Sequence, residues 1–318
     1  MLDYKLLEAL AAVVEEGGFE RAARRLNITQ SAVSQRIRQL EEGLGQPVLA
    51  RTQPPAPTGP GKRLLRHARR VGLLEADLAQ GLAPGAAGHA GTAGAAEPDA
   101  PWQTLAVAVN ADTLATWFTA AVLPLLSRER LALDLKVDDQ ERTHELLRAG
   151  EVVGCVSTRP SPMQGCRASF LGLMRYHCAA TPAFAARWFP QGLSLAAARL
   201  APAVVFNRQD TVHDRYLAER LGDSPQNAPR HHVPNSERFV DFVLGGAGYG
   251  LIPHLQAAAP LAEGRLVDLL PGAPMPVPLY WHCWNLASPL LAGLTIELQK
   301  AGRRKLIVES NPRTARRI

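Results

Sequence analysis

The chain has 318 residues, 47% of them hydrophobic and 20% charged, a length that suits two or three compact domains rather than one. No apolar run reaches the roughly 18 residues of a membrane span. The start, Met1-Leu2-Asp3-Tyr4, lacks the basic-then-apolar order of a secretory signal, so a cytoplasmic location is expected. The net charge of +6 is unevenly spread: Phe19 to Arg70 carries eleven Lys/Arg against three acids, the stretch from Gln299 onward carries seven against one, and the remainder is acidic. A basic block beside an acidic body suits a nucleic-acid-binding module joined to something else, although solvated helix faces give the same count.

Leu6, Leu10 and Val13 are spaced as on a helix with one buried face, and Gly17-Gly18 ends it. A short helix from Phe19 to Leu26 follows, then a tight turn at Asn27-Ile28. Thr29 is placed to cap a third helix by accepting a hydrogen bond from its free N–H groups. Val33, Ile37, Leu40 and Leu44 form the buried stripe of that helix. Gln46 to Pro57, short and proline-rich, reads as a small hairpin or wing. Pro60 opens a long helix on which Leu64, Ala68, Val71, Leu78 and Leu82 make a heptad-like seam. Such a seam suits pairing with a second copy, and packing within one chain stays open.

The segment Ala83 to Pro101 is dominated by Gly, Ala and Pro and reads as a flexible linker. Beyond it, strands at Leu105–Val109, Leu131–Val137 and Val152–Val156 alternate with helices at Thr113–Leu126 and Arg142–Ala149. A similar rhythm recurs from Ala201 to Leu269, followed by a strand at Leu279–Trp284 and a helix at Leu290–Arg303. This βαβ rhythm implies a mostly parallel sheet covered on both faces, in two α/β lobes joined by crossing strands.

Helix, tight turn, helix can set the third helix in a major groove. Its polar side offers Thr29, Gln30, Ser31, Ser34, Gln35 and Arg38, groups able to read base edges, and no acid occurs from Arg21 to Leu40. Arg24, Arg25, Arg36, Arg51 and Lys62 are expected at phosphates. The DNA-contact candidates are therefore Thr29, Gln30, Ser31, Ser34, Gln35, Arg36, Arg38, and in the wing region Arg51 and Thr58. A polar amphipathic helix in an unrelated bundle is the alternative.

The run Phe19 to Ile37, FERAARRLNITQSAVSQRI, completed by Leu40-Glu41, resembles the signature of LysR-type transcriptional regulators. That resemblance spans the whole chain. It implies an α + α/β architecture: an N-terminal winged helix-turn-helix (1–58), a long dimerisation helix (59–82), the linker (83–101) and a two-lobed, periplasmic-binding-protein-like effector domain (102–305). Lobe I would hold about 102–174 and 277–305, lobe II about 175–276, with a basic tail at 306–318. It further implies a double-stranded DNA operator, a small effector, a homodimer or dimer-of-dimers tetramer, RNA polymerase as a further candidate partner, and no cofactor. The wing Val48 to Pro55 and the runs Ala108 to Trp117, Gly150 to Ser157, Ile252 to Gln256 and Leu279 to His282 resemble the branch that controls export of basic amino acids. The implied effector is L-lysine or L-arginine.

Ligands of open α/β lobes sit where strands end and helices begin. Asn110-Ala111-Asp112-Thr113 is such a junction, whose N–H groups suit a carboxylate. Ser157-Thr158, Asn207 and Ser236-Glu237 lie at three others. Asp112, Asp138, Asp139 and Glu237 are anions able to hold an ammonium or guanidinium. Effector candidates are therefore Asn110, Asp112, Thr113, Asp139, Ser157, Thr158, Asn207, Ser236 and Glu237. Plain helix capping for Asp112 and Ser236, and a solvated loop for Asp138 and Asp139, are the alternatives. Trp117 and Trp281 are cleft candidates, although large aromatics are more often core.

No Gly-rich phosphate loop, GxSxG elbow or HExxH occurs, and Gly245 to Gly250 precedes a strand rather than following one, so no enzymatic activity is expected. His231-His232 lacks partners at metal spacing, and no metal site is expected. The four cysteines, Cys155, Cys166, Cys178 and Cys283, form no CxxC pair and read as buried thiols. A redox role through Cys155 and Cys166, or a different small effector, stays open.

Overall fold

The computed structural model describes residues 2–82, 102–138, 142–225 and 227–307. The linker 83–101, most of the basic tail and Asp139 lie outside the described residues.

Three helices open the chain: α1 (Tyr4–Glu16), α2 (Phe19–Arg25) and α3 (Gln30–Leu44). Asp3 caps α1 by accepting from the Lys5 N–H at 2.9 Å, and Gly17 ends it in the left-handed region. Leu7, Ala9, Leu10 and Val13 pack against Ala22, Ala23, Val33, Ile37 and Leu40 in one core; truncating such a leucine to alanine costs about 2–5 kcal/mol. Asn27 takes the turn at φ 52°, a conformation Asn tolerates better than most residues. The wing is the antiparallel pair β1 (Leu49–Ala50) and β2 (Ala56–Pro57). Glu41 pins it, accepting from the Val48 N–H at 2.8 Å and the Leu49 N–H at 3.4 Å.

The long helix α4 (Gly59–Leu82) divides the expected seam. Leu64, Leu65 and Ala68 pack on the first core, whereas Leu78 and Leu82 are 61% and 74% exposed. Its middle docks on the rest of the chain through Leu73, which belongs to the second core.

That second part holds β3 (Gln103–Val109), α5 (Ala111–Thr113), a π-helical segment (Leu114–Phe118), α6 (Thr119–Leu126), β4 (Leu131–Val137), α7 (Arg142–Ala149), β5 (Gly154–Ser157) and β6 (Cys166–Ala180). It continues with α8 (Pro182–Trp188), α9 (Leu195–Ala198), β7 (Ala203–Val205), α10 (Val212–Leu221), β8 (Arg230–His232), α11 (Ser236–Leu244), β9 (Gly250–Pro253) and α12 (His254–Ala262). β10 (Val267–Asp268), β11 (Met275–Trp284) and α13 (Pro289–Lys305) complete it.

The main sheet runs β10-β6-β11-β5-β3-β4, with β9 also on β6. Only β4, β3 and β5 are parallel; β5, β11, β6, β9 and β10 join antiparallel. The expected mostly parallel sheet is therefore a mixed one. The reason is the 15-residue β6, one of the expected crossing strands, whose residues nothing in the sequence marked out: it runs antiparallel to β11 along ten paired residues and carries the chain from one lobe to the other. β7 and β8 form a separate parallel pair in lobe II. Trp117 and Trp281 are fully buried core, Trp281 donating from Nε1 to Thr295 Oγ1 at 3.0 Å. None of the described helices is long and apolar enough to cross a membrane.

Candidate DNA interface and effector cleft

The cap expected at the start of α3 is present: Thr29 Oγ1 accepts from the Ala32 N–H at 3.2 Å and lies 3.0 Å from Ser31 Oγ. Burying Val33, Ile37 and Leu40 turns the opposite side outward. Thr29, Gln30, Ser31, Gln35 and Arg38 are exposed, and Ser34 and Arg36 are half-buried. Arg51 stands exposed on the wing and Lys62 at the start of α4. Thr58 is otherwise engaged: its hydroxyl donates to the Pro47 carbonyl at 2.7 Å and accepts from the Gly61 N–H at 3.3 Å, closing the wing onto α4. Two arginines expected at phosphates face acids instead. Arg25 pairs with Glu15 at 2.7 Å and Glu16 at 3.4 Å, and Arg24 with Glu20 at 3.7 Å.

Between the lobes lies a cavity of about 820 Å³, within the size range of small-molecule sites. Of the residues expected there, Asn110, Asp112, Thr158 and Ser236 line it, as does Asp138. Asn110 ends β3 and caps the following helix, its Oδ1 accepting from the Thr113 N–H at 3.1 Å. Asp112 is held from both sides of the cleft. Tyr176, on the crossing strand β6, donates to its Oδ2 at 2.7 Å, and the hydroxyl of Ser236, which opens α11, approaches it from lobe II. The same Ser236 hydroxyl lies 3.1 Å from Gln256 Oε1. Burial pushes the Asp112 carboxyl up, and the two hydroxyls oppose that rise.

Thr113, Ser157, Asn207 and Glu237 do not line the cavity. Thr113 is buried behind it, Ser157 accepts from the Arg159 N–H at 3.2 Å, and Glu237 is exposed on α11. Asn207 shapes a loop, accepting from the N–H groups of Gln209 and Asp210 at 2.8 Å each.

Several cleft residues went unmarked in the sequence, among them Tyr176, Asp210, His213, Arg215 and Arg220. Tyr176 went unseen with its strand. Asp210 obeys the strand-end rule already used for Asn207, since it stands between β7 and α10 and caps Val212 through Oδ1 at 2.9 Å. His213 gives no sequence signal, because an isolated histidine is commonly a core residue.

The four cysteines are free thiols, with Cys155, Cys178 and Cys283 buried and Cys166 half-buried. Burial pushes the Cys155, Cys166 and Cys178 thiols up, away from the reactive thiolate. Among the described residues no group of three or more His, Cys, Asp or Glu could hold a metal ion.

Residues 4–62 match the family model described as "Bacterial regulatory helix-turn-helix protein, lysR family", and residues 101–295 match "LysR substrate binding domain". The chain is 49% identical over 299 residues to the HTH-type transcriptional regulator ArgP of Pseudomonas aeruginosa, covering 94% of this chain and 95% of that protein. Among solved structures, ArgP from Mycobacterium tuberculosis superposes with a TM-score of 0.84 at 36% identity, covering 97% of this chain and all of the other. Full-length LysG from Corynebacterium glutamicum with bound effector Arg gives 0.75 at 32% identity, covering 96% of this chain and all of that one.

Proposed function

Because the chain belongs to the LysR family of bacterial transcription regulators, we propose that it reads an operator with α3 and switches transcription of an amino-acid exporter gene when L-lysine or L-arginine enters the inter-lobe cleft. In this reading Gln30, Ser31, Ser34, Gln35 and Arg38 face base edges. Thr29, Arg36 and Arg51 meet the phosphate backbone, and Thr58 sets the angle of the wing. The exposed leucines Leu78 and Leu82 of α4 are covered by a second copy, as dimerisation requires.

One observation carries the effector assignment. The Asp112 carboxylate is half-buried in the cleft, bonded by Tyr176 and approached by the Ser236 hydroxyl of the opposite lobe. A carboxylate drawn part-way out of water is stabilised by a cation. A small molecule with an ammonium or guanidinium group supplies one, and the LysG relative was solved with arginine bound. Asn110, Thr158 and Ser236 add polar contacts, and closing the two lobes on the effector is the movement passed on to α4.

Thermal unfolding with lysine, arginine and neutral amino acids tests the assignment. A ligand at a hundred times its Kd adds roughly 2.7 kcal/mol of stability, so lysine or arginine raises Tm and leucine does not. Asp112→Ala abolishes the rise while operator binding without effector stays intact. A Tm unmoved by either basic amino acid rejects the reading.

A further inference from the structure

Within that cleft a basic amino acid brings charges of both signs, and Asp112 answers only the positive one. The carboxylate end needs donors, and the strand-end junction expected to supply them is already engaged. Asn110 Oδ1 accepts from the Thr113 N–H at 3.1 Å, and the Asp112 side chain lines the cavity beside it. Lobe I lines the cavity with Asp112, Asp138 and Glu145 against Arg142, which itself lies 3.3 Å from Asp138. Such a wall repels an anion.

Lobe II is different, because α10 lines the cavity with three groups able to donate: His213, Arg215 and Arg220. His213 is 2% exposed and its ring packs on that of Tyr249, 5.3 Å between centroids, yet neither ring nitrogen has a hydrogen-bond partner among the described residues. Burial holds the ring neutral, its pKa down at about 4, and the two charges that act on it, Asp214 and Arg230, pair with each other at 2.6 Å. A neutral imidazole keeps one N–H to give, and a buried donor without an acceptor is costly until a bound molecule provides one.

His213, Tyr216 and Arg220 share one face of α10, at positions i, i+3 and i+7. The Arg220 guanidinium lies over the Tyr216 ring, 5.8 Å from its centroid, which draws it back along the helix towards His213. Neither Arg215 nor Arg220 forms an ion pair among the described residues. Two acids also line this side: Asp210, whose charge acts on Asp112 and on Arg230, and Glu219, which is exposed. They offset the two arginines, so the lobe II wall is the less acidic of the two.

We propose that α10 is the carboxylate-reading wall of the effector cleft: His213 donates its ring N–H to the α-carboxylate of the bound amino acid and Arg220 supplies the opposing charge, while Asp112 holds the cationic end. The proposal rests on the reading of the cleft as a basic-amino-acid site. It goes further in assigning the other end of the ligand. It also makes the effector, cation to lobe I and carboxylate to lobe II, the link that draws the lobes together.

Calorimetry on the full chain tests it, with arginine against agmatine and lysine against cadaverine, the decarboxylated amines that keep the side-chain cation. In the unchanged protein the amino acid of each pair binds more tightly. His213→Phe keeps a ring and removes the donor, and Arg220→Gln keeps most of the length and removes the charge. Each is expected to weaken the amino acid by at least about tenfold while the amine changes by less than about threefold, so the preference shrinks. Should His213→Phe melt early without ligand, His213→Met takes its place, since methionine adapts to irregular space. A selective loss confined to one variant removes the other residue from the site. Equal losses for both members of a pair, no loss in either variant, or an unchanged protein that binds agmatine as tightly as arginine overturns the role of α10 and leaves the effector assignment standing. An unchanged protein that binds neither lysine nor arginine overturns both.

Discussion

Arg69 joins the two halves of the molecule: one guanidinium nitrogen donates to the carbonyl oxygen of Gly150 at 2.7 Å, and another lies 3.6 Å from the Glu15 carboxylate. Glu15 belongs to α1 of the DNA-binding part, and Gly150 follows α7 of lobe I. Arg66, one turn earlier, donates to the Arg148 carbonyl at 2.9 Å, and Arg70 lies 5.3 Å over the ring of Trp284. Cations near the end of α7 also meet the negative pole of its dipole. Only glycine fits at position 150, where φ is +75° and an added Cβ would stand 2.4 Å from Arg66 Cβ.

Arg69→Ala and Gly150→Ala are therefore expected to uncouple the halves. Effector affinity by calorimetry should stay within about twofold, while the effector-dependent change in operator affinity shrinks several-fold. Coupling energies between sites are typically about 1–3 kcal/mol, so such a change is measurable. A full operator response in both variants would show that the signal takes another route.

On the exposed face of α3, Arg38→Ala and Gln30→Ala should cost operator binding about tenfold or more, and binding to random duplex much less, because base contacts carry the discrimination. Arg51→Ala should weaken both duplexes alike and lower the slope of log K against log salt by about one. Binding curves on the two duplexes at several salt concentrations separate these effects. Equal losses on both duplexes for Gln30→Ala would remove it from base reading.

Acid should destabilise the protein through its buried histidines. Burial lowers His213 to about 4, and burial likewise lowers His144 and His282. A ring held neutral in the native state contributes stability that is complete above its unfolded pKa of about 6.5 and is lost as pH falls towards the native value. Urea unfolding followed from pH 6.5 to 4.5 should show that loss. His213→Gln should reduce its slope by about 1.4 kcal/mol per pH unit, one proton's worth. Identical slopes in both proteins would mean that His213 is reached by water in the native state.

The first sixty residues were legible almost residue by residue. Thr29 caps α3, Gly17 ends α1, and Val33, Ile37 and Leu40 are buried, because helix periodicity and capping depend on neighbours within a turn or two. The sheet was legible only in part. β3, β4 and β5 follow the βαβ rhythm, whereas β6 pairs with β11 about a hundred residues away, and that pairing made the sheet mixed. Nothing local in residues 166–180 signals it.

The cleft divides in the same way. Strand-end reasoning found Asn110, Asp112, Thr158 and Ser236, since a junction is a local feature. Which junctions face one another is set by how the crossing strands stack the lobes. Only that stacking brought Tyr176 onto Asp112, set Asp210 across from it and left His213 lining the cavity, while turning Thr113 and Glu237 away. The sequence by itself thus determined the exposed polar face of α3 and the class of molecule. The tertiary structure decided the charge arrangement of the cleft, because electrostatic contact depends on distance in space and not on separation along the chain.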